Sequence, residues 1–425
     1  MLPQLNSSDR TIDLIENAIF VEGESDGIFN NNDYVLFFAN TTDHLQYQAQ
    51  AGTFSYEHNL YVDSAVYFIT IKDSPGKRIS RRSNVENTFP EVSTYADIQI
   101  HELDLAKEFV FGGRMWFGER FAGSNSTLNL DFNSRNIVEG SNISIIASFM
   151  SQAFAVSSFD VNFNGQLIGN QVMSPLIEGT YEVKGDIKTD TFRVTSSSAV
   201  SASDLMTIQI KYHPAATGAS TGYLDYVLVQ SEKELTYNNG LHIFNPHGLD
   251  SQTFQVTNAN VNMRIWDVTD PTDIIEQEYV MSDGSAQFGI ELFREQFILF
   301  EGNNFPLPTF KGRVNNQNLR GLGPADALFI THKNFLSETN RLAQFRTQHD
   351  GLVIHVVTVD QIYNEFNSGM QDVSAIRDFA RQQYSQHDGQ LKYLLLFGDC
   401  SYDYKYRLIN KQNYVPVYQL SLIHI

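Results

Sequence analysis

The sequence predicts a multidomain chain: N-terminal β-sandwich-like domains followed by the beginning of an α/β domain built on a parallel sheet. Three observations carry that expectation. Upstream of an Asn- and Gly-rich linker at residues 315–324, short runs alternate apolar and polar residues and are rich in aromatic and β-branched side chains, as strands are. Beyond the linker, strand-like and helix-like runs alternate, which implies parallel strands joined by right-handed crossovers. Finally, Tyr393-Leu394-Leu395-Leu396-Phe397 runs directly into Gly398-Asp399-Cys400-Ser401-Tyr402-Asp403-Tyr404-Lys405, so a short apolar strand delivers a carboxylate and a thiol into one tight turn. Open α/β sheets collect ligands and chemistry outside the carboxyl ends of such strands.

The elements follow in order. Residues 34–38 and 61–69 read as antiparallel strands, and the Asn-rich stretch before them lacks the ligand spacing of an EF-hand and reads as a plain turn. Residues 141–230 form a second β segment, in which Ile143 to Ala147, Phe159 to Phe163 and Tyr223 to Val229 are strands and Asn164-Gly165 is a hairpin turn. Even strand spacing without helical periodicity favours a sandwich or jelly roll, with residues 214–220 as an exposed loop. Residues 241–322 add strands, including Phe254-Gln255-Val256 and Met263-Arg264-Ile265-Trp266; whether they form their own domain or complete the first stays open. After the linker, Ala327 to Thr331 is a strand, and Phe335, Thr339, Leu342 and Phe345 line one face of a helix stopped by Gly351. Leu352 to Val359 is the second strand. Asp372 caps a helix whose face carries Ile376, Phe379, Ala380 and Tyr384. Tyr393 to Phe397 is a third strand, buried on both faces. The expected domains are 1–120, a second β domain at 121–236, a further β segment and linker at 237–323, and the α/β start at 324–425.

Composition narrows the class. With 425 residues, 42% apolar, 18% charged and 11 Pro, the chain is an ordinary globular protein long enough for several cores. A net charge of -20 and a pI near 4.9 leave no excess of Lys and Arg to neutralise phosphates, so no nucleic acid partner is expected. The apolar runs are too short for a membrane span. A single cysteine, Cys400, forbids an internal disulfide and leaves the redox compartment open.

Few residues suggest chemistry. Cys400 could be a nucleophile with His332 or His355 as base, but a His inside a strand is usually a hydrogen-bonded structural group, and the bland reading is preferred. Asp399, beside Asp403 and backbone carbonyls, offers hard oxygens of the kind calcium prefers; capping the turn by accepting backbone N–H bonds explains it equally well. His101-Glu102-Leu103-Asp104-Leu105 starts like a zincin helix but lacks the second His, so no zinc site is expected there. Trp116 and Trp266, with Arg114, Glu119, Arg264 and Asp267 beside them, read as packing residues rather than a binding surface.

Leu394 to Lys405, with Asp350-Gly351-Leu352-Val353, Gln361-Ile362-Tyr363-Asn364-Glu365-Phe366 and Ala375-Ile376-Arg377-Asp378-Phe379, resembles the opening of the peptidase domain in the gingipain-like cysteine peptidase family. Upstream, Gly113-Arg114-Met115-Trp116-Phe117-Gly118-Glu119 and Arg264-Ile265-Trp266-Asp267-Val268-Thr269-Asp270-Pro271 resemble the type IX secretion sortases of that family. The resemblance implies a caspase-like α/β domain of which only the first part is present, and a chain incomplete at both ends, whose signal peptide is missing and whose last residues, 420–425, depart from the family pattern and are not native. It implies a cell-surface, outer-membrane-associated cysteine peptidase that removes C-terminal sorting signals from cargo and links the cargo to surface lipopolysaccharide. Its implied partners are secreted cargo proteins with C-terminal sorting domains and other type IX secretion components. The family's catalytic His and Cys follow later strands, so none is expected in this chain, which alone should be inactive. A small residue is common in the family where Cys400 stands, and structural calcium bound near this turn implies Asp399 as a ligand, with no organic cofactor. The competing expectation is a non-enzymatic surface adhesin or carbohydrate-binding β protein.

Overall fold

The computed structural model describes residues 10–11, 13–48, 50–85, 89–105, 115–179, 182–248, 250–291, 294, 296–408 and 412–418. Gly113, Arg114 and the tail at 420–425 lie outside the described residues.

Alternation in sequence becomes alternation in burial. In the strand Ser157–Phe163 every second residue is buried, and Asn164 and Gly165, at φ 46° and 83°, turn it back onto Gln166–Met173. A two-residue turn of this kind needs left-handed backbone at both positions, which Asn-Gly tolerates. Leu205–His213 and Thr127–Asn133 complete a four-stranded antiparallel sheet. Its companion sheet runs Asp186–Thr195, Asn142–Ala153, Ser220–Glu234, Thr94–Glu102, with Arg120–Phe121 also paired to Ser220–Glu234. Side chains of both sheets share one apolar core, in which Phe149 stacks on Phe159 with centroids 4.4 Å apart. The exposed stretch at 214–219 carries the chain from one sheet to the other.

A second pair of sheets gathers segments far apart in the chain. His242–Phe244, Phe297–Phe300, Arg264–Asp267 and Ile275–Gln277 pair antiparallel, and Ser80–Arg82 adds a parallel edge. Opposite them run Val280–Ser282, Ser285–Ile290, Gln252–Val256 and, parallel again, Glu91–Val92. Phe244, Phe254, Phe288 and Phe297 meet between the two sheets. Residues beyond 237 are thus built together with strands from the first hundred residues, the point that periodicity left open. Trp266 is core, edge-on to Phe300 at 4.9 Å, while Arg264 lies over the Phe20 ring and bridges Glu276 at 2.7 Å.

Residues 61–69 differ from expectation, because they form no strand. Their polar and aromatic groups find partners on the α/β unit instead: Ser368 Oγ donates to the Val66 carbonyl at 3.0 Å, and Tyr61 packs edge-on against Tyr404. A ladder is only one way to satisfy a backbone.

The α/β unit is a three-stranded parallel sheet with Ala327–Thr331 between Ile354–Thr358 and Tyr393–Phe397. The middle strand is buried throughout. Helix Leu336–Asp350 ends at Gly351 with φ 72°, as its sequence predicts. Its buried residues are Thr339 and Ala343, whereas Phe345 is exposed and stacks on His349. The cause is local: Thr339 Oγ1 donates to Thr331 Oγ1 at 3.0 Å, and that bond fixes which face of the helix meets the sheet. Helix Val359–Phe366 follows the second strand without a loop; its signal was Thr358 and Gln361, which form a reciprocal capping box. Asp372 caps helix Val373–Gln386 by accepting from the Ser374 N–H at 2.7 Å; Ile376 and Phe379 are buried and Tyr384 is exposed. The third strand is less buried than its composition suggests, since it forms an edge of the sheet and leaves Tyr393 and Leu394 about half exposed. Among the described residues no helix is long and apolar enough to cross a membrane.

Candidate functional site at the carboxyl edge of the parallel sheet

The strands end level, Thr331 facing both Thr358 and Phe397, and Thr331 Oγ1 donates to the Phe397 carbonyl at 3.0 Å. Gly398 then lets the chain turn under Val415; a Cβ there would lie 2.9 Å from Val415 Cγ2. The turn is laced to residues 413–417. The Asp399 carbonyl accepts the N–H groups of Tyr414 and Val415 at 3.0 and 3.2 Å. Asn413 Oδ1 accepts from the Ser401 N–H, Asn413 Nδ2 donates to the Asp403 carbonyl, and Tyr404 donates to the Val417 carbonyl.

Within this frame the Asp399 carboxylate is exposed and accepts the Cys400 N–H at 2.9 Å. Asp403 is the opposite case. It is fully buried, its Oδ2 accepts the Leu408 N–H at 2.6 Å, and its Oδ1 has no hydrogen-bond partner. Partial burial and the neighbouring Asp399 charge push the Cys400 thiol pKa up, away from thiolate. Neither proposed base serves Cys400. His355 faces Leu328, level with Leu394, near the start of its strand, whereas Cys400 lies beyond the carboxyl end of Tyr393–Phe397, with the middle strand between them. Its Nε2 bonds the Gly323 carbonyl at 2.9 Å, the structural role expected. His332 accepts the Asn334 N–H through Nδ1 and packs its ring on Tyr414.

Beside this turn lies a group of residues that no local motif announces. Lys405 and Arg407 reach into a cradle formed by Asp43, Tyr56 and His58 from the N-terminal segment and by Glu102 and Asp104 at the end of Thr94–Glu102. Lys405 Nζ, on a side chain only 2% exposed, lies 2.6 Å from Asp63 Oδ1 and 2.9 Å from His58 Nε2. Arg407 pairs with Asp104 and lies over Trp116, whose ring stacks near Tyr402. His58 bonds Asp104 at 3.0 Å and Asp43 at 3.1 Å, and Tyr56 donates to Glu102. Burial alone would lower the His58 pKa; the surrounding carboxylates of Asp104, Asp43 and Glu102 overcome it and raise the pKa to about 9. Burial likewise pushes Asp43 and Asp104 upward but is outweighed, chiefly by His58, so both fall below their usual value. Glu102 and Asp225 are held above theirs by burial.

Comparison with known proteins assigns this unit. Residues 321–424 match the sequence profile of Peptidase family C25. Over 96% of its length the chain superposes on the crystal structure of dimeric latent PorU from Porphyromonas gingivalis, with a TM-score of 0.77 and 19% identity. It spans 39% of that chain, and the likeness shows a shared fold that includes the N-terminal β sheets. The CBM36-1 domain of a multidomain xylanase from the hindgut metagenome of Trinervitermes trinervoides matches 31% of this chain at 12% identity, with a TM-score of 0.22, too low to bear on function. No curated protein matches.

The sequence-predicted residues Asp399 and Cys400 therefore share one turn at the carboxyl edge of the parallel sheet, with His332 nearby and His355 remote. Among the described residues, His58, Glu102 and Asp104 are grouped closely enough to hold a metal. Lys405 Nζ, 2.9 Å from His58 Nε2, already supplies a cation to this group. The cradle is a charge seam between the N-terminal segment and the C25 unit.

Proposed function

We propose that the chain is the N-terminal part of a cell-surface cysteine peptidase of the sortase kind, which removes the C-terminal sorting signal of type IX secretion cargo and joins the new carboxyl end to surface lipopolysaccharide. The observation that carries this reading is the C25 match over the parallel unit, continued by a PorU-like fold over the rest of the chain. The reaction needs a Cys thiolate to attack the scissile carbonyl, a His to pass the proton to the leaving amine, donors for the oxyanion, and an acyl-enzyme open to an amine or to water. Cys400, with its raised pKa and no His bonded to it among the described residues, is a poor candidate for the first role. The catalytic His and Cys belong to strands beyond this chain, which alone is inactive.

In this reading the C25 unit also holds structural calcium. Asp399 is a ligand, and Asp403, whose buried Oδ1 has no hydrogen-bond partner, suits the same role. Millimolar calcium should then raise the melting temperature of the complete peptidase, and Asp399→Asn should remove most of the rise. A melting temperature indifferent to calcium would leave Asp399 as a turn cap only.

The sortase reading is tested by incubating the full-length protein with a cargo protein bearing a C-terminal sorting domain and with an amine acceptor, then measuring both cargo termini by mass spectrometry. Loss of the sorting domain with the acceptor joined to the new carboxyl end is expected. Intact cargo would overturn the reading in favour of a surface-binding protein.

A further inference from the structure

The two sides of the sandwich are not alike. On one side the sheets close on each other, so that a Cβ at Gly169 in Gln166–Met173 would lie 2.3 Å from the Phe192 ring of Asp186–Thr195. On the other, Thr94–Glu102 and Thr127–Asn133 leave a groove of about 480 Å³, lined by Gln99, Ile100 and His101 from the first strand and by residues 129–132 from the second. The rim of this groove is a free strand edge.

Among the described residues Thr127–Asn133 pairs with Leu205–His213 alone, in unbroken register. An antiparallel strand bonds its neighbour through every second residue, and the residues between turn their N–H and C=O groups to the other side. The flanking bonds fix the phase: the Ser126 carbonyl accepts the Tyr212 N–H at 2.8 Å, and the Ser134 N–H donates to the Asp204 carbonyl at 3.1 Å. Asn129 and Asp131 therefore present their main chain to the groove, and no described bond takes up those groups. At Asn133 the same edge is already engaged, by a side chain that acts as a strand. Gln99 Nε2 donates to the Asn133 carbonyl at 2.8 Å and Gln99 Oε1 accepts the Asn133 N–H at 2.7 Å, the two bonds that one residue of an added strand would make.

Open edges take up extended peptide, and native proteins usually blunt them with Lys, Pro or a bulge. This edge has none of the three. The geometry points to residues 127–131 as a docking site for an extended segment of another polypeptide, which adds a strand to the four-stranded sheet. Register sets the chemistry of that segment. A residue bonded to Asn129 or Asp131 lies opposite it on the outer face, where the Asp131 carboxylate favours Lys or Arg and no described Lys or Arg lines the groove. The intervening residues point inward beside Leu130 and Phe132 and suit Val or Ile. A second copy of this chain fits poorly, because antiparallel pairing of two such edges brings Asp131 carboxylates together.

The test titrates the folded chain with the end-blocked peptide Val-Lys-Val-Lys-Val-Lys-Val, read by calorimetry and by hydrogen exchange. Binding is expected, with exchange slowed at the Asn129 and Asp131 amides. Methylation of the three Lys N–H groups, which face the edge, should weaken binding about tenfold, the scale of one or two lost hydrogen bonds, whereas methylation of the intervening Val N–H groups should change it little. Asn129→Pro removes an edge donor without touching the ladder to Leu205–His213, and Asp131→Lys reverses the charge at an exposed position; each should weaken binding on the same scale. Equal loss with either methylation pattern would show that charge alone attracts the peptide and would overturn the added strand. No binding at millimolar peptide would overturn the site. Uptake of a neutral oligosaccharide, cellohexaose, in place of the peptide would overturn the partner's class.

Discussion

The interior of the sandwich and the seam around Lys405 are both buried, yet they are made of opposite materials. Between the sandwich sheets, Phe149, Phe159, Phe121, Ile145 and Val229 lie in contact with almost no exposure and carry no charge. At the seam, Lys405, Arg407 and His58 meet Asp43, Asp63, Glu102 and Asp104. Apolar contact is indifferent to pH and punishes lost volume; a buried ionic cluster punishes any unpaired charge. The sandwich is thus made by apolar packing, whereas charge, beside the Tyr61–Tyr404 contact, joins the N-terminal segment to the turn at the carboxyl edge of the parallel sheet.

Four perturbations can break or sharpen that contrast. Phe159→Ala removes a fully buried ring that stacks on Phe149 and touches Tyr212, and should cost about 3–5 kcal/mol in chemical denaturation, with no dependence on salt. Asp104→Ala removes the carboxylate partner of Arg407 and one of the carboxylates facing His58 and Lys405, and should cost about 3 kcal/mol. Its signature is regional: hydrogen exchange should quicken in residues 399–408 while the sandwich strands keep their protection. If instead exchange changes equally everywhere, the seam is not a separate device.

The third perturbation is pH. His58 is held protonated to about pH 9, so the stability its charge contributes is complete below its ordinary pKa of about 6.5 and fades as pH rises from there through about 9. Asp43 and Asp104, held below their usual value, act the other way, and their contribution is lost only as acid conditions pass their lowered pKa. Unfolding free energy should fall as pH rises from 6.5 through 9, by on the order of 2 kcal/mol at full loss, with the melting temperature falling alongside, and His58→Phe should flatten that slope. An unchanged slope in the variant would show that another group titrates. The smallest effect is reserved for Arg135→Ala, which breaks a solvent-exposed pair with Asp204 and should leave stability unchanged within error.

How much of this was legible follows from the range of each interaction. Asn164-Gly165, Gly351 and Asp372 each fixed a turn, a helix stop or a cap from residues within a few positions, and each stands as the sequence indicates. The Val359–Phe366 helix was equally local, announced by Thr358 and Gln361, but was hidden because it begins where the apolar strand ends. Phase on a helix is less legible: Phe345 and Tyr384 fit an apolar spacing, yet both are exposed, and on the Phe345 helix it is the Thr339 bond to Thr331 that faces the sheet. The seam was not legible. Lys405 and His58 are 347 positions apart, and nothing in either neighbourhood states which charges will meet. Asp399 and Cys400 were found because a buried strand ending in Gly is a local pattern. What they do depends on chain that folds around them.

In the proposed peptidase, chemistry belongs to residues other than Cys400, and the turn at 399–408 is a held framework. That assignment is tested most directly by Cys400→Ala in the full-length protein, with cargo processing measured as kcat/KM. A rate within a few-fold of the parent is expected. A loss on the order of 10³-fold, the scale of a missing nucleophile, would contradict it and make Cys400 the catalytic residue.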